Sequence, residues 1–251
     1  MLVHLPRTVA EAQQHLTEGA VPIGGATLIW ATWQRDGFPE QAMSLRELPQ
    51  ANVINREELG GAVVLGRIGD QVPHVLRAAA KAVGTGAVRR AATVGGNIAG
   101  STLRCLLPAA LVLDARATVL ASHGVYETDL AEVAAKRPLL LGLRWRTPAM
   151  SAYHKLPSEA GNAPPLVVAT ALHTETGGRH RLRVAVRDGY DVLTATAIYS
   201  PGAANPLDQL REVPLADVPG AWDLIDKQVT TLVAAAPAAG DPPGDEPHRP
   251  D

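Results

Sequence analysis

The chain is short of cysteine, of net positive charge and of long apolar runs, and each shortage excludes something. A single cysteine, Cys105, among 251 residues rules out an internal disulfide framework and any zinc or iron–sulfur site built from several thiolates. Only four of the 23 basic residues are lysines (Lys81, Lys136, Lys155 and Lys227), and 25 acidic residues outweigh them for a net charge of -2. A nucleic-acid partner calls for a basic surplus to neutralise phosphates, so no such partner is expected. No apolar run is long enough to cross a bilayer, and no membrane association is expected. The opening MLVHLPRTVAEAQQHL lacks the basic start, continuous apolar core and small-residue cleavage site of a signal peptide, so the expected location is cytoplasmic. Familiar catalytic signatures are missing as well: there is no G-x-S-x-G elbow, no H-E-x-x-H, no Walker loop and no G-x-G-x-x-G. The eight histidines are scattered without metal-ligand spacing, and no metal site is expected. What is present is 46% hydrophobic residues against 19% charged, enough for a real core in one large domain or two small ones.

Three blocks follow along the chain. In the first, residues 2–5 read as a strand, and Thr8 with Glu11 forms a capping box before a helix with Val9, Ala12 and Leu16 on one face. Gly19 caps it, residues 20–23 read as a strand, and a helix over 28–35 is expected to turn Leu28, Ile29 and Trp33 inward. Residues 44–48 read as a short strand or turn. The second block begins with an expected strand at Ala62–Leu65, then a helix capped by Asp70 with Val72, Leu76, Ala79 and Val83 inward and stopped by Gly84 and Gly86. A helix over 106–114, a strand at 118–120 and a closing strand over 138–145 complete it. The third block has strands over 165–173 and 179–187 joined by Glu175-Thr176-Gly177-Gly178, a further strand over 192–198 and a helix over 221–233. From Pro237 the alanine-, glycine- and proline-rich sequence reads as a disordered tail.

Two glycine pairs carry the chemistry. Ile23-Gly24-Gly25-Ala26-Thr27-Leu28 joins a strand to a helix, and Thr93-Val94-Gly95-Gly96-Asn97 is the second. Without Cβ, glycine lets backbone N–H groups approach an anion and adopts the positive φ that such loops need. Consecutive amides then form a nest for phosphate oxygens, and a following helix N-terminus adds favourable potential. Two such loops suit the two phosphates of a dinucleotide, with Thr27, Thr93 and Asn97 as side-chain donors.

The order of these motifs resembles the FAD-binding subunit of molybdenum hydroxylases, a group that includes the medium subunit of carbon monoxide dehydrogenase and the flavin domain of xanthine dehydrogenase. The resemblance is carried by Pro6 to Ala12, by GGATL at Gly24–Leu28 against the family's A-G-G-T-D/S-L, and by VRRAATVGGNIAGS at Val88–Ser101. It continues through Pro108–Ala115, similar to P-A-L-L-A-L-D-A, and Ser151–Leu156, similar to S-A-F/Y-x-K-L. It implies an α+β fold of the vanillyl-alcohol-oxidase (PCMH) type: an FAD-binding α/β subdomain over 1–50, a second over 51–148, a small C-terminal α/β domain over 149–235, and a tail over 236–251. It implies FAD held by Ile23, Gly24, Gly25, Ala26, Thr27 and Leu28 from the first loop and by Thr93, Val94, Gly95, Gly96, Asn97 and Ser101 from the second. Tyr153 and Lys155 would lie towards the flavin ring.

The sequence also departs from the family. Where relatives carry S-P-x-x-D, with an Asp that helps to hold the cofactor, this chain reads Ser101-Thr102-Leu103-Arg104-Cys105-Leu106, without a carboxylate. The loop before Pro138 is shortened, and Asp188–Asp191 replaces a longer family segment. Two functions follow as expectations. The first is an FAD-dependent oxidoreductase, either stand-alone or taking electrons from iron–sulfur and molybdenum subunits, since one cysteine cannot hold a cluster. The alternative is a non-redox natural-product cyclase acting on a small molecule in an apolar cleft, with FAD structural or lost and Trp30, Trp33, Trp145, Tyr153 and Tyr190 as cleft candidates. A homo-oligomer is compatible with either. Arg89 and Arg90 are candidates for neutralising phosphates, and Cys105 is expected to be a buried small apolar residue.

Overall fold

The computed structural model describes residues 1–157, 164–200 and 205–236. The tail expected beyond residue 236 lies outside them. Three sheets follow one another along the chain. The first is parallel, with β1 (Leu2–His4) and β2 (Val21–Ile23) flanking β3 (Gln41–Ser44) in the order β1-β3-β2. Helix α1 (Val9–Thr17) connects β1 to β2, and α2 (Ile29–Asp36) connects β2 to β3. Thr8 Oγ1 accepts from the Glu11 amide at 3.2 Å as expected, while the Glu11 carboxylate reaches one residue further back, to the Arg7 amide at 2.8 Å. Gly19 takes φ +89° past the end of α1, where an L side chain would be strained. Leu28 does not turn inward: it is 59% exposed, and of the three expected residues Trp33 alone is buried.

The second sheet is antiparallel, in the order β4-β7-β5-β6, formed by β4 (Glu58–Gly60), β5 (Arg116–Ala121), β6 (Gly124–Thr128) and β7 (Leu139–Arg144). The strand expected at Ala62–Leu65 is instead a turn with a single bridge, Val64 to Thr93, because Gly61 leads the chain away from β4 into contact with the second glycine motif. Helix α3 (His74–Lys81) has Pro73 as its N-cap rather than Asp70, three residues later than expected. Pro73 ends an extended stretch, and the Val75 amide finds an acceptor in Ser151 Oγ at 3.2 Å. Gly86 begins α4 (Gly86–Ala91), with Thr85 as N-cap, instead of stopping a helix. A π-helical turn, Gly96–Gly100, precedes α5 (Leu107–Val112), and α6 (Leu130–Lys136), capped by Asp129, precedes β7.

The third sheet is an antiparallel meander, β8 (Met150–Lys155), β9 (Val167–Thr174), β10 (His180–Asp188) and β11 (Asp191–Tyr199). Its two faces serve different cores. Val168, Leu172, Leu182, Val184 and Val186 pack with α7 (Pro206–Arg211) and α8 (Ala221–Ala234). The alternate positions Ala169, Ala171 and Ala185 join the large core formed by α3, α5 and the second sheet. Period-2 alternation explains the split, and the small side chains let α3 and α5 approach the strands closely.

The sheet also grips both helices at their ends. Ser151 meets the N-terminus of α3 and Lys155 Nζ donates to Ala82 O at 2.9 Å at its C-terminus. Asp114, just after α5, pairs with Arg181 and Arg183 of β10, and buried His173 of β9 donates from Nε2 to Val112 O at 2.9 Å.

Candidate functional site

The two glycine loops meet. A Cβ on Gly24 would land on Thr93 Oγ1, and one on Gly25 would run into the Ala91 carbonyl and come within 2.8 Å of the Ala92 nitrogen. The first loop therefore lies directly on residues 91–93, the end of α4 and the bridge residue Thr93, which lead into the second. That contact, rather than a left-handed backbone, is what the glycines supply. Neither Gly24 nor Gly25 has positive φ; the left-handed residue of the loop is Ala26, at φ +55°.

The loops differ in what they leave free. None of the amides of residues 24–28 donates to another group among the described residues, and Leu28, the N-cap of α2, offers no side-chain cap. Because the first N–H groups of a helix lack intrahelical acceptors, the loop leading into α2 presents a run of unpaired donors, which ends where the Trp30 amide returns to Ala26 O at 3.2 Å. In the second loop the donors are already engaged. Val94 donates to Val63 O at 3.0 Å, Gly95 to Gly61 O at 2.8 Å, Gly96 to Thr93 Oγ1 at 3.1 Å and Asn97 to Thr93 O at 2.9 Å. The expectation of two matching rows of free amides is thus corrected. The first loop is the open cradle, and the second is a braced scaffold on which it sits.

The side chains follow the same division. Thr27 is exposed beside the free amides. Thr93, Asn97 and Ser101 are buried, and their oxygens are acceptors within the scaffold: Ser101 Oγ takes the Leu103 amide at 3.1 Å and Asn97 Oδ1 the Leu106 amide at 2.9 Å. The NH2 end of Asn97 has no partner among the described residues, which makes it the side-chain donor of the second loop. Ile23 ends β2 and delivers the chain into the cradle.

Tyr153 and Lys155 lie on one face of β8, two residues apart. The Tyr153 hydroxyl donates to Cys105 O at 3.4 Å, and burial, seconded by the Cys105 thiol and opposed by Arg187, holds its ionisation far above the usual tyrosine range. Tyr153 is therefore a neutral donor, two hydrogen bonds from Asn97. Lys155 donates to the end of α3 at Ala82 O and hydrogen-bonds to neither glycine loop among the described residues. Arg89, a candidate for phosphate contact, caps α3 through Val83 O at 3.0 Å and Gly84 O at 2.8 Å. Of the cleft candidates, Trp145 is core, with its indole N–H on Arg56 O at 2.8 Å, and Tyr190 is exposed at the β10–β11 turn. Trp30 and Trp33 pack edge-on against Phe38. Cys105 is buried as expected.

One residue escaped sequence inspection. Arg187 of β10 is 1% exposed and donates to Leu103 O, to Cys105 Sγ at 3.4 Å and to Pro165 O at 2.7 Å, with Nε unpartnered. It grips the segment that follows the second glycine motif, where the resemblance had pointed to a missing carboxylate. In sequence it is one arginine among several in an alternating strand, with nothing to single it out.

The residues present fit an anionic nucleotide: free amides at a helix N-terminus, a threonine hydroxyl and an unengaged carboxamide are donors suited to phosphate oxygens. Among the described residues no three His, Cys, Asp or Glu side chains come together as a metal site would require, and no helix is long and apolar enough to cross a membrane.

Comparisons agree with this geometry. Residues 1–140 match the family described as the FAD binding domain in molybdopterin dehydrogenase. Among solved structures, a chain of the reconstituted CO dehydrogenase from Oligotropha carboxidovorans aligns over 77% of both chains at 22% identity, with a TM-score of 0.64. A chain of quinoline 2-oxidoreductase from Pseudomonas putida 86 aligns over 74% of this chain and 73% of its own at 19% identity and a TM-score of 0.62. A chain of the carbon monoxide dehydrogenase from Hydrogenophaga pseudoflava aligns over 77% of both at 18% identity and 0.64. No curated protein sequence matches. With more than half of its length inside the family match, the chain belongs to the FAD-binding domains of molybdopterin dehydrogenases.

Proposed function

We propose that this chain is a flavoprotein oxidoreductase that holds FAD across the two glycine loops. The amides of Gly24, Gly25, Ala26, Thr27 and Leu28 and the Thr27 hydroxyl would receive the pyrophosphate, with Ile23 setting the entry to the loop. Asn97 would add a carboxamide donor, and Thr93, Val94, Gly95, Gly96 and Ser101 would keep the second loop in shape. Tyr153 and Lys155 are assigned to the flavin-ring side by their shared face on β8. When bound, the flavin supplies the redox chemistry, and the protein supplies orientation and electrostatics. The observation that carries the reading is the seating of Gly24 and Gly25 on residues 91–93 with the neighbouring amides left unpaired.

In this reading the three sheets correspond to working domains over 1–50, 51–148 and 149–235. Electrons would come from another chain, because a single cysteine offers no ligand set for an iron–sulfur cluster. Iron–sulfur and molybdenum subunits are the proposed partners, with a small-molecule substrate oxidised elsewhere in the complex. A non-redox cyclase on the same scaffold has one feature in its favour: the segment Ser101–Leu106 lacks a carboxylate and meets a buried arginine instead.

Purification followed by visible spectroscopy tests the proposal. A yellow protein, as isolated or after adding FAD, that bleaches with NADH or a reduced partner supports it. A protein that stays colourless in excess FAD ends it, and a bound flavin that never changes oxidation state during turnover replaces it with the cyclase.

A further inference from the structure

A single peptide plane connects the C-terminal sheet to the nucleotide loops. Its carbonyl, Cys105 O, accepts the Tyr153 hydroxyl at 3.4 Å, and its N–H, that of Leu106, donates to Asn97 Oδ1 at 2.9 Å. Just before it, Arg187 holds Leu103 O and Cys105 Sγ from β10, at sequence separations of 84 and 82 residues, and anchors its other terminal nitrogen on Pro165 O. The segment's other ties are to the second-sheet half of the molecule: the Leu103 amide on Ser101 Oγ at 3.1 Å, the Leu107 amide on Arg104 O at 2.9 Å and the Arg104 guanidinium on Ala134 O at 2.7 Å, so Arg187 and Tyr153 are what join it to the C-terminal sheet. Arg104 sits at φ +40°, and Thr102 and Leu103 are exposed. A mobile Leu106 amide would leave the Asn97 carboxamide free to rotate by 180°, exchanging its oxygen and nitrogen. A fixed one dictates that the oxygen faces Leu106 and the NH2 group faces away.

We propose that Arg187 is a positioning residue for Asn97: acting through residues 103–106, and with Tyr153 on the same peptide plane, it fixes the Asn97 carboxamide with its NH2 group presented to the phosphates of the bound nucleotide. This rests on the FAD reading above. A fully buried guanidinium is an expensive way to fill space, since an apolar side chain of similar volume often serves stability as well or better. What it orients explains its burial: its donors are spent on the Leu103 carbonyl and the Cys105 thiol within the segment and on Pro165 O outside it.

The test is a double-mutant cycle read as FAD affinity, by quenching of flavin fluorescence on binding to the apoprotein, with far-UV circular dichroism and Tm on every variant. Asn97→Ala is expected to weaken FAD about tenfold, the worth of one good hydrogen bond to a charged group. Arg187→Met is expected to weaken it by a similar factor, and Arg187→Lys, which keeps one carbonyl contact, by less. Because all act through the same carboxamide, Asn97→Ala combined with Arg187→Met should bind no worse than about twofold below the weaker single variant. Two factors that multiply towards 100-fold, or an Arg187→Met protein that loses Tm while its folded fraction binds FAD like the wild type, overturn the proposal and assign Arg187 to the fold alone. Tyr153→Phe, which removes only the hydroxyl, runs the same cycle should the arginine variants not fold: coupling with Asn97→Ala supports the shared peptide plane and multiplication overturns it. A wild-type apoprotein that takes up no FAD brings down the flavin reading itself, an outcome distinct from wild-type binding with no Arg187 coupling.

Discussion

Gly25→Ala is the sharpest probe of how the cradle is built. The added methyl would lie 2.8 Å from the Ala92 nitrogen and closer still to the carbonyl carbon and oxygen of Ala91. To reach an ordinary contact of about 3.5 Å the loop must retreat by at least roughly 0.7 Å. The obstacle cannot swing aside as a side chain would. The Ala92 amide is bonded to Val88 O at 2.8 Å, and Ala92 O accepts from Leu65 at 2.9 Å. A retreat of that size stretches a hydrogen bond of about 2.9 Å to about 3.6 Å, beyond the range in which it counts as one. Losing two amide–phosphate bonds, each worth about 1.5–3 kcal/mol, corresponds to a drop on the order of 100- to 10,000-fold in FAD affinity.

The fold should suffer less. Overpacking costs about 1–3 kcal/mol, or a fall in Tm of roughly 2–12 °C for a chain of this size. Gly24→Ala should fall between, because its obstacle is the Thr93 side chain, which can rotate if it gives up the Gly96 amide. Gly100→Ala is the control, with open space around the new methyl and no positive φ. The measurement is FAD titration of the apoproteins by fluorescence beside thermal melts. Gly25→Ala binding FAD within threefold of the wild type, with its Tm reduced as expected, would refute the claim that the two loops hold the nucleotide by their close fit.

Other outcomes follow from single residues. Ala26→Gly should leave stability unchanged or raise it by up to about 1 kcal/mol, because relief of the left-handed strain at φ +55° offsets the entropy that glycine adds to the unfolded chain; urea melts check it, and a loss above 1 kcal/mol would show that the strain is not real. His173 is held below its usual pKa, chiefly by burial, so the unfolded chain binds a proton that the native one refuses, and stability should fall as pH drops below about 6.5, by at most about 1.4 kcal/mol per pH unit from this group. His173→Gln, which can still donate to Val112 O, should flatten the difference between urea melts at pH 7.5 and 5.5, and an unchanged slope would exclude His173 as its source. Asp114→Asn keeps a residue type that tolerates the φ of +54° but removes the charge shared by Arg181 and Arg183; a loss of about 1–3 kcal/mol is expected in chemical denaturation, shrinking as salt screens the wild-type pairs.

The sequence carried the glycine motifs, the amphipathic α1 and α8 and the third-sheet meander because each is written in a local period or a turn signal. Residues 175–178 announce a hairpin, and Gly177 and Gly178 take the left-handed angles it needs. What stayed hidden depends on partners distant in the chain. The start of α3 is decided by Ser151, 76 residues away from the amide it accepts, and not by the nearby Asp70. The stretch Ala62–Leu65 has the composition of a strand, but Gly61 and Val63 spend their carbonyls on Gly95 and Val94, so it braces the second loop instead of extending a sheet. That is also why the two glycine pairs, alike in sequence, play unlike roles: one borders a helix N-terminus with nothing to bond, the other is enclosed by the turn at residues 61–65.

The arginines of β10 show the limit of reading polarity from alternation. In Arg181-Leu182-Arg183-Val184-Ala185-Val186-Arg187 the charged positions look like the wet side of a half-buried strand. Instead that side faces α5, and the arginines reach the chain at both of the helix's ends: Arg181 and Arg183 at Asp114 beyond it, Arg187 at Leu103 and Cys105 before it. Alanine at 185 leaves the middle of the row clear for the helix, and the long side chains on either side supply donors where the backbone before α5 and the carboxylate after it need them. A guanidinium can be buried there because its donors fan out in a plane and meet acceptors in several directions at once, which a lysine at the same place could not do. The C-terminal sheet is thereby tied to the segment that follows the second glycine motif, 84 and 82 residues before Arg187, while the motif itself is braced by the turn at residues 61–65.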